Sequence, residues 1–219
     1  MDNQEEQIKQ KTNTGFYVQL AVIVVLAGLL MYGLGKSTSD GVTGGVIGTV
    51  SASDIIPTGI PEVYGKELGV SYDDVSPNDP RKADATINVL SNIDKSETLT
   101  GKDLERYISI ASKISCEYCC GAASIIFSNG QPACGCAHSY SMRGLAKYLI
   151  KNHGDEFSDE QILEELGKWK VLFFPGIHET KAQVLKSQGI EINYINLASN
   201  KYRGIEKGQQ SGGGMVGGC

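Results

Sequence analysis

Five of the six cysteines crowd into 21 residues, as Cys116, Cys119, Cys120, Cys134 and Cys136, while Cys219 stands apart in a Gly-rich tail. A disulfide framework would spread its cysteines through the chain, so this crowding points to metal or thiol chemistry in one place. The segment reads Cys-Glu-Tyr-Cys-Cys-Gly from Cys116, then a short apolar stretch, Asn129-Gly130, and Cys134-Gly-Cys136-Ala-His138. Asn-Gly is a strong hairpin signal, because both turn positions can take positive φ. The spacing therefore predicts a β-hairpin, with strands over 123–127 and 131–134, whose closed ends bring two cysteine pairs around one ion. Gly121 and Gly135 let the backbone turn tightly beside sulfur.

Cys116, Cys119, Cys134 and Cys136 are the first-choice metal ligands, with Cys120 and His138 as alternates. Five thiols and an imidazole exceed the four places of a closed structural zinc site. The surplus leaves room for an open site, for more than one metal, or for exchange between thiols. Zinc, copper(I) and iron–sulfur clusters all suit soft thiolates, so ligand type alone does not choose among them. Cys134, Cys136 and His138 sit where a helix should begin, and a helix N-terminus favours thiolate. The rival reading is a thiol–disulfide oxidoreductase using Cys116/Cys119 or Cys134/Cys136. A third is a zinc-stapled module whose helices bind a membrane protein partner. Cys119 is followed by Cys120, so no haem-attachment motif is present. No Ser/His/Asp triad, phosphate loop or paired-carboxylate motif emerges. The formal net charge is −5 and no basic block is long enough to suggest nucleic acid.

Outside the cluster, Phe16 to Leu34 gives 19 residues with one polar interruption, Gln19, and no charge. Such a run matches the ~30 Å hydrocarbon core and predicts an uncleaved single-pass anchor in the lipid bilayer. Lys9 and Lys11 precede it and Lys36 follows, which favours an extracytoplasmic domain. Residues 1–15 read as a polar segment and 35–60 as a flexible linker. A globular Cys-cluster domain over 61–204 and a mobile Gly-rich tail over 205–219 complete the organisation. The fold class expected is α+β, mainly α: a transmembrane helix plus a small helical domain with the Cys-rich hairpin. Pro80 opens one helix and Thr100 caps the next. A third starts near His138, and the capping box Ser158-Asp-Glu-Gln161 opens a fourth. Pro175 reads as the end of the run Val171 to Phe174. A fifth helix is expected around Lys181 to Ser187 and a strand from Ile190 to Leu197. His153 reads as a charge at a helix C-terminus, His178 as a solvated loop residue, and Glu160, Glu164 and Glu165 as solvated surface. The tail could be an arm that carries Cys219 to the cluster, or only a tail.

Cys134-Gly-Cys136-Ala-His138 with its following helix resembles the membrane-anchored bacterial proteins named for a Pro-Cys-Tyr-Cys-Gly-Cys (PCYCGC) motif. This chain departs from that motif, with Cys116-Glu117 in place of Pro-Cys before Tyr118-Cys119. The longer pattern, from Cys116 through Leu172-Phe-Phe-Pro175, looks like single-pass archaeal membrane proteins with a Cys-rich domain. A looser similarity, through Cys136, Ser158-Asp-Glu-Gln161 and Val171 to Pro175, is to the thiol-handling subunits of cytochrome c maturation. These resemblances imply a Cys-rich knot with a nearby His held outside the membrane, and they supply no activity.

Overall fold

The apolar stripe Ala83, Ile87 and Leu90 predicts a helix begun by Pro80, and the computed structural model, which describes residues 50–209 and 214–218, places it at Pro80–Ser96. Asp79 caps it by accepting from the Lys82 amide. Among the described residues seven α-helices follow in order. They are α1 Gly65–Leu68, α2 Pro80–Ser96, α3 Gly101–Ala111, α4 Ala137–His153, α5 Asp159–Phe173, α6 Pro175–Ser187 and α7 Tyr194–Ala198. The capping box at Ser158 forms as expected, with Ser158 Oγ and Gln161 Oε1 each accepting the other residue's amide. Pro175 does not only end the preceding run. It is the first residue of α6, where its missing N–H costs nothing, so that helix begins six residues before the expected Lys181. The expected strand over Ile190 to Leu197 is also corrected. Asn193 accepts from the Asn196 amide and caps α7.

The α+β expectation is overturned, because the described residues contain helices and no strand. The predicted hairpin shrinks to one antiparallel bridge, Ile126 with Pro132. Phe127 accepts from the Gly130 amide and donates to Gln131, so a turn does form there. Gly130 has φ 82° but Asn129 does not take positive φ, which rules out the expected turn with both positions left-handed. A ladder cannot extend, because the Ile125 amide, which would have to donate across to Ala133, donates away from the turn, to Ile114. The membrane placement is corrected as well. Among the described residues no helix is long and apolar enough to cross a membrane. The run 16–34, on which the single-pass, extracytoplasmic and bilayer expectations rested, lies outside those residues. The described fold offers no span to replace it.

The core is built on α4, which packs along α2 through small residues. Ser141 Oγ donates to the Ile87 carbonyl at 3.0 Å and lies 3.1 Å from Ser91 Oγ. Gly144 is pressed onto α2 so closely that a Cβ there would lie 1.9 Å from the Leu90 carbonyl oxygen. Leu145, Leu149, Ile162, Leu166 and Trp169 are fully buried around this seam. Glu165, expected on the surface, is instead buried, where its Oε2 accepts from Tyr64 and Tyr72 at 2.7 and 2.6 Å. Trp169 donates to Tyr64 at 2.7 Å and completes this group. A second cluster of buried residues contains Val50, Ile55, Val171, Ala182, Leu185 and Leu197. Residues 50–60, expected within the linker, thus contribute two of its side chains.

His153 ends α4 between two carboxylates, with Nε2 2.9 Å from Glu67 and Nδ1 2.9 Å from Glu156. Both ring nitrogens can donate only in the imidazolium form. The hydrogen bond to Glu156, then that to Glu67, hold its pKa above the usual histidine value. A raised folded-state pKa gives stability that is complete below about pH 6.5 and fades as pH rises through the raised value. The His153→Gln variant should therefore be less stable than the parent at pH 5.5, with the gap closing by pH 9 in thermal melts. A gap independent of pH would refute the charge-linked role.

Candidate metal centre

The cysteine loop is held at both ends before any sulfur is considered. Asn200 is the clasp. Its amide donates to Lys113 at 2.7 Å, and its side-chain amide donates to the Ser112 and Ala123 carbonyls. Ser115 Oγ donates to Asn200 Oδ1 at 2.7 Å. The chain thus enters and leaves the loop at one point. Inside the loop, Tyr118 donates to the Cys116 carbonyl and Glu117 adopts φ 53°, the one non-glycine with positive φ among the described residues. Left-handed backbone at a glutamate costs free energy and is kept only where the surroundings demand it. Gly121, at φ 67°, turns the chain back, and Arg203 donates to its carbonyl at 2.9 Å.

This folding gathers Cys116, Cys119 and Cys136, whose sulfurs all lie within 4.8 Å of one another, so the three could hold a metal ion. Cys116 and Cys136 are buried and 3.2 Å apart, while Cys119 is exposed at the rim. Of the remaining candidates, Cys120 and Cys134 are joined as a disulfide. The Cys134 sulfur is nevertheless 3.6 Å from that of Cys136. Cys136 is also the N-cap of α4, its sulfur accepting from the Ser139 amide at 3.4 Å. The hydrogen bond with Cys116, followed by those with His138 and Ser139, holds the Cys136 thiol well below the usual range. Its partner Cys116 is pushed the other way, first by that same hydrogen bond and then by burial.

His138 supports this sulfur. Its Nε2 donates to the Val216 carbonyl at 2.8 Å, and a hydrogen bond with the Cys136 sulfur helps to hold that thiol low. Val216 is buried and its amide donates to Phe173 at 2.8 Å, while Gly218 donates to Asp84. Residues 214–218 of the expected mobile tail are thus docked against α2, α4 and α5. Cys219 lies outside the described residues.

Beneath the loop lies a group of buried charges that sequence reasoning missed. Lys170 is fully buried, 3.2 Å from Glu117 and 2.8 Å from the Ala198 carbonyl. Burial pushes its pKa down to about 8, against the pull of Glu117 and, further off, of Cys116. Lys181 and His178 are also fully buried on α6, so the solvated-loop reading of His178 is corrected. His178 Nδ1 donates to the Phe174 carbonyl at 2.8 Å. Lys170 follows a helical stretch otherwise rich in charge, and no sequence signal separates it from a solvated lysine. Compared with known protein families, with curated proteins and with solved structures, the chain matches none.

Proposed function

We propose that this protein is a metal-binding or metal-handling module that takes one thiophilic ion on Cys116, Cys119 and Cys136. The observation that carries the reading is the convergence of those three sulfurs within 4.8 Å, two buried and one at the surface. Zinc–sulfur bonds of about 2.3 Å in a tetrahedron put sulfurs roughly 3.8 Å apart, inside the range this cluster spans. His138 and Ser139 hold the central ligand by hydrogen bonds, as outer partners do in metal sites. Lys170 adds a buried positive charge near Cys116 that favours thiolate. Exposed Cys119 gives an entry path. Zinc is the first candidate, and copper(I), which three thiolates also suit, is the second.

The protein purified without oxygen should carry about one equivalent of zinc or copper. The Cys116→Ser and Cys136→Ser variants should each lose most of it. Retention of full metal content by both variants would refute the assignment. One observation favours a second reading, thiol–disulfide exchange. The Cys136 sulfur faces Cys134 of the disulfide at 3.6 Å. Its attack would form a Cys134–Cys136 bond and release Cys120 as thiolate. Metal-free protein that cycles reversibly with a dithiol would favour this reading.

A further inference from the structure

We infer that the Cys120–Cys134 disulfide is a redox gate on the metal centre, whose opening frees Cys134 to become the fourth sulfur ligand beside Cys116, Cys119 and Cys136. This rests on the metal reading above and adds its control. The two halves of the disulfide are unlike. Cys134 is buried, and its backbone is pinned by Arg143 Nη1, which donates to the Cys134 carbonyl at 2.8 Å. The preceding residue is held too, the Ala133 amide donating to Ile125 at 3.1 Å. Arg143 is itself fixed by Asp94 at 2.7 Å. Cys120 is exposed and is followed by left-handed Gly121. When the bond opens, Cys134 therefore stays where it is, 3.6 Å from the Cys136 sulfur, and Cys120 is the half that can swing out. That spacing already matches the roughly 3.8 Å expected between sulfurs on one tetrahedral zinc.

The chemistry needs an external dithiol as reductant. Its thiolate attacks the sulfur of Cys120, the exposed residue of the pair, forming a mixed disulfide and expelling Cys134 as thiolate into the cluster. The second thiol of the reductant then attacks its own sulfur in the mixed disulfide. This releases Cys120 as a thiol and leaves the reductant as a disulfide. Two electrons pass from the dithiol to the protein, and the Cys134 thiolate remains for the metal. The oxidised protein thus offers three sulfurs and the reduced protein four. The exposed position of Cys120 also directs attack so that the leaving group is the sulfur the site uses.

The test is zinc and cobalt(II) titration of the full chain under nitrogen, once with the disulfide intact and once after reduction by a dithiol and its removal. Reduction should tighten zinc binding at least about tenfold, since even outer hydrogen-bond partners of metal ligands are worth ~10–100-fold. The sulfur-to-cobalt charge-transfer intensity per ion should rise by about one third, as three thiolates become four. Cys120→Ser, a change at an exposed site, should show the tight state without reductant. Cys134→Ser should keep the weaker affinity in both conditions. Equal affinity and equal intensity before and after reduction, with Cys120→Ser like the parent, would overturn the gate while leaving the three-sulfur site standing. Failure to bind either ion in any state would overturn the metal reading itself.

Discussion

Replacing Gly144 by alanine should destabilise this protein severely, although helix propensity alone argues the opposite. Gly144 lies in the interior of α4, where glycine costs about 1 kcal/mol relative to alanine. On that ground Gly144→Ala would stabilise. The added Cβ, however, would sit 1.9 Å from the Leu90 carbonyl oxygen and 2.9 Å from the Asp94 amide nitrogen. Both are backbone atoms of α2 and cannot rotate aside as a side-chain end can. The two helices must move apart, which disturbs the Ser91–Ser141 contact and the Asp94–Arg143 pair on the same seam. Overpacking of well-filled cores typically costs ~1–3 kcal/mol and sometimes more. A clash with backbone should lie at or above that range, against a typical total stability of about 5–15 kcal/mol. Chemical denaturation should show an unfolding midpoint far below the parent's, or no folded baseline. A midpoint equal to or above the parent's would contradict the close approach of α2 and α4.

Asp94→Ala should have an effect of similar size, by a different cause. The Arg143 and Asp94 side chains are 0 % and 2 % exposed, and Nε meets Oδ2 at 2.7 Å. Lys147 reaches the other carboxylate oxygen, also at 2.7 Å. Removing Asp94 strands a guanidinium that has no water to turn to. Breaking one partner of a buried pair costs roughly 3–5 kcal/mol, most of it the penalty of the charge left behind. Asp94→Asn, which keeps shape and one acceptor, should cost less. Arg143 also donates to the Ile125 and Cys134 carbonyls, so the loss should reach the metal centre. Removing both partners, with Arg143→Met added to Asp94→Ala, should recover only part of the loss, because those two carbonyls would then be left unpaired. Full recovery would show that Arg143 has no part in holding the cysteine loop.

How much of this was legible in the sequence varies by element, for physical reasons. Helices α2 to α5 could be read because their start signals are local. Pro80 and the Ser158–Gln161 box act within one turn, and the apolar stripes repeat at helical spacing. The hairpin could not be read correctly from Asn129-Gly130, since a turn signal says nothing about whether its arms can pair. Here the Ile125 amide donates elsewhere, to Ile114. The sequence places the start of α6 too late because proline is both a helix breaker and a good first residue, and only the capping context decides which. His178 and Glu165 read as solvated, and Lys170 and Lys181 draw no notice in the sequence, because burial of a charge depends on partners distant in sequence. Glu165, for example, is held by Tyr64 and Tyr72. Crowding of the cysteines was visible from the start. Which sulfurs share a disulfide and which converge was not, because Cys134 and Cys136 face the same centre and spacing alone cannot divide them.

One metal ion should sit among these sulfurs. X-ray absorption at the metal K-edge, on the full chain purified without oxygen, tests it most directly. For zinc the spectrum should show three or four sulfur scatterers at about 2.3 Å and no imidazole nitrogen from His138 at ~2.0–2.1 Å. A spectrum fitted by nitrogen and oxygen alone, or protein that holds no metal with all three of Cys116, Cys119 and Cys136 titrating as free thiols, would contradict it.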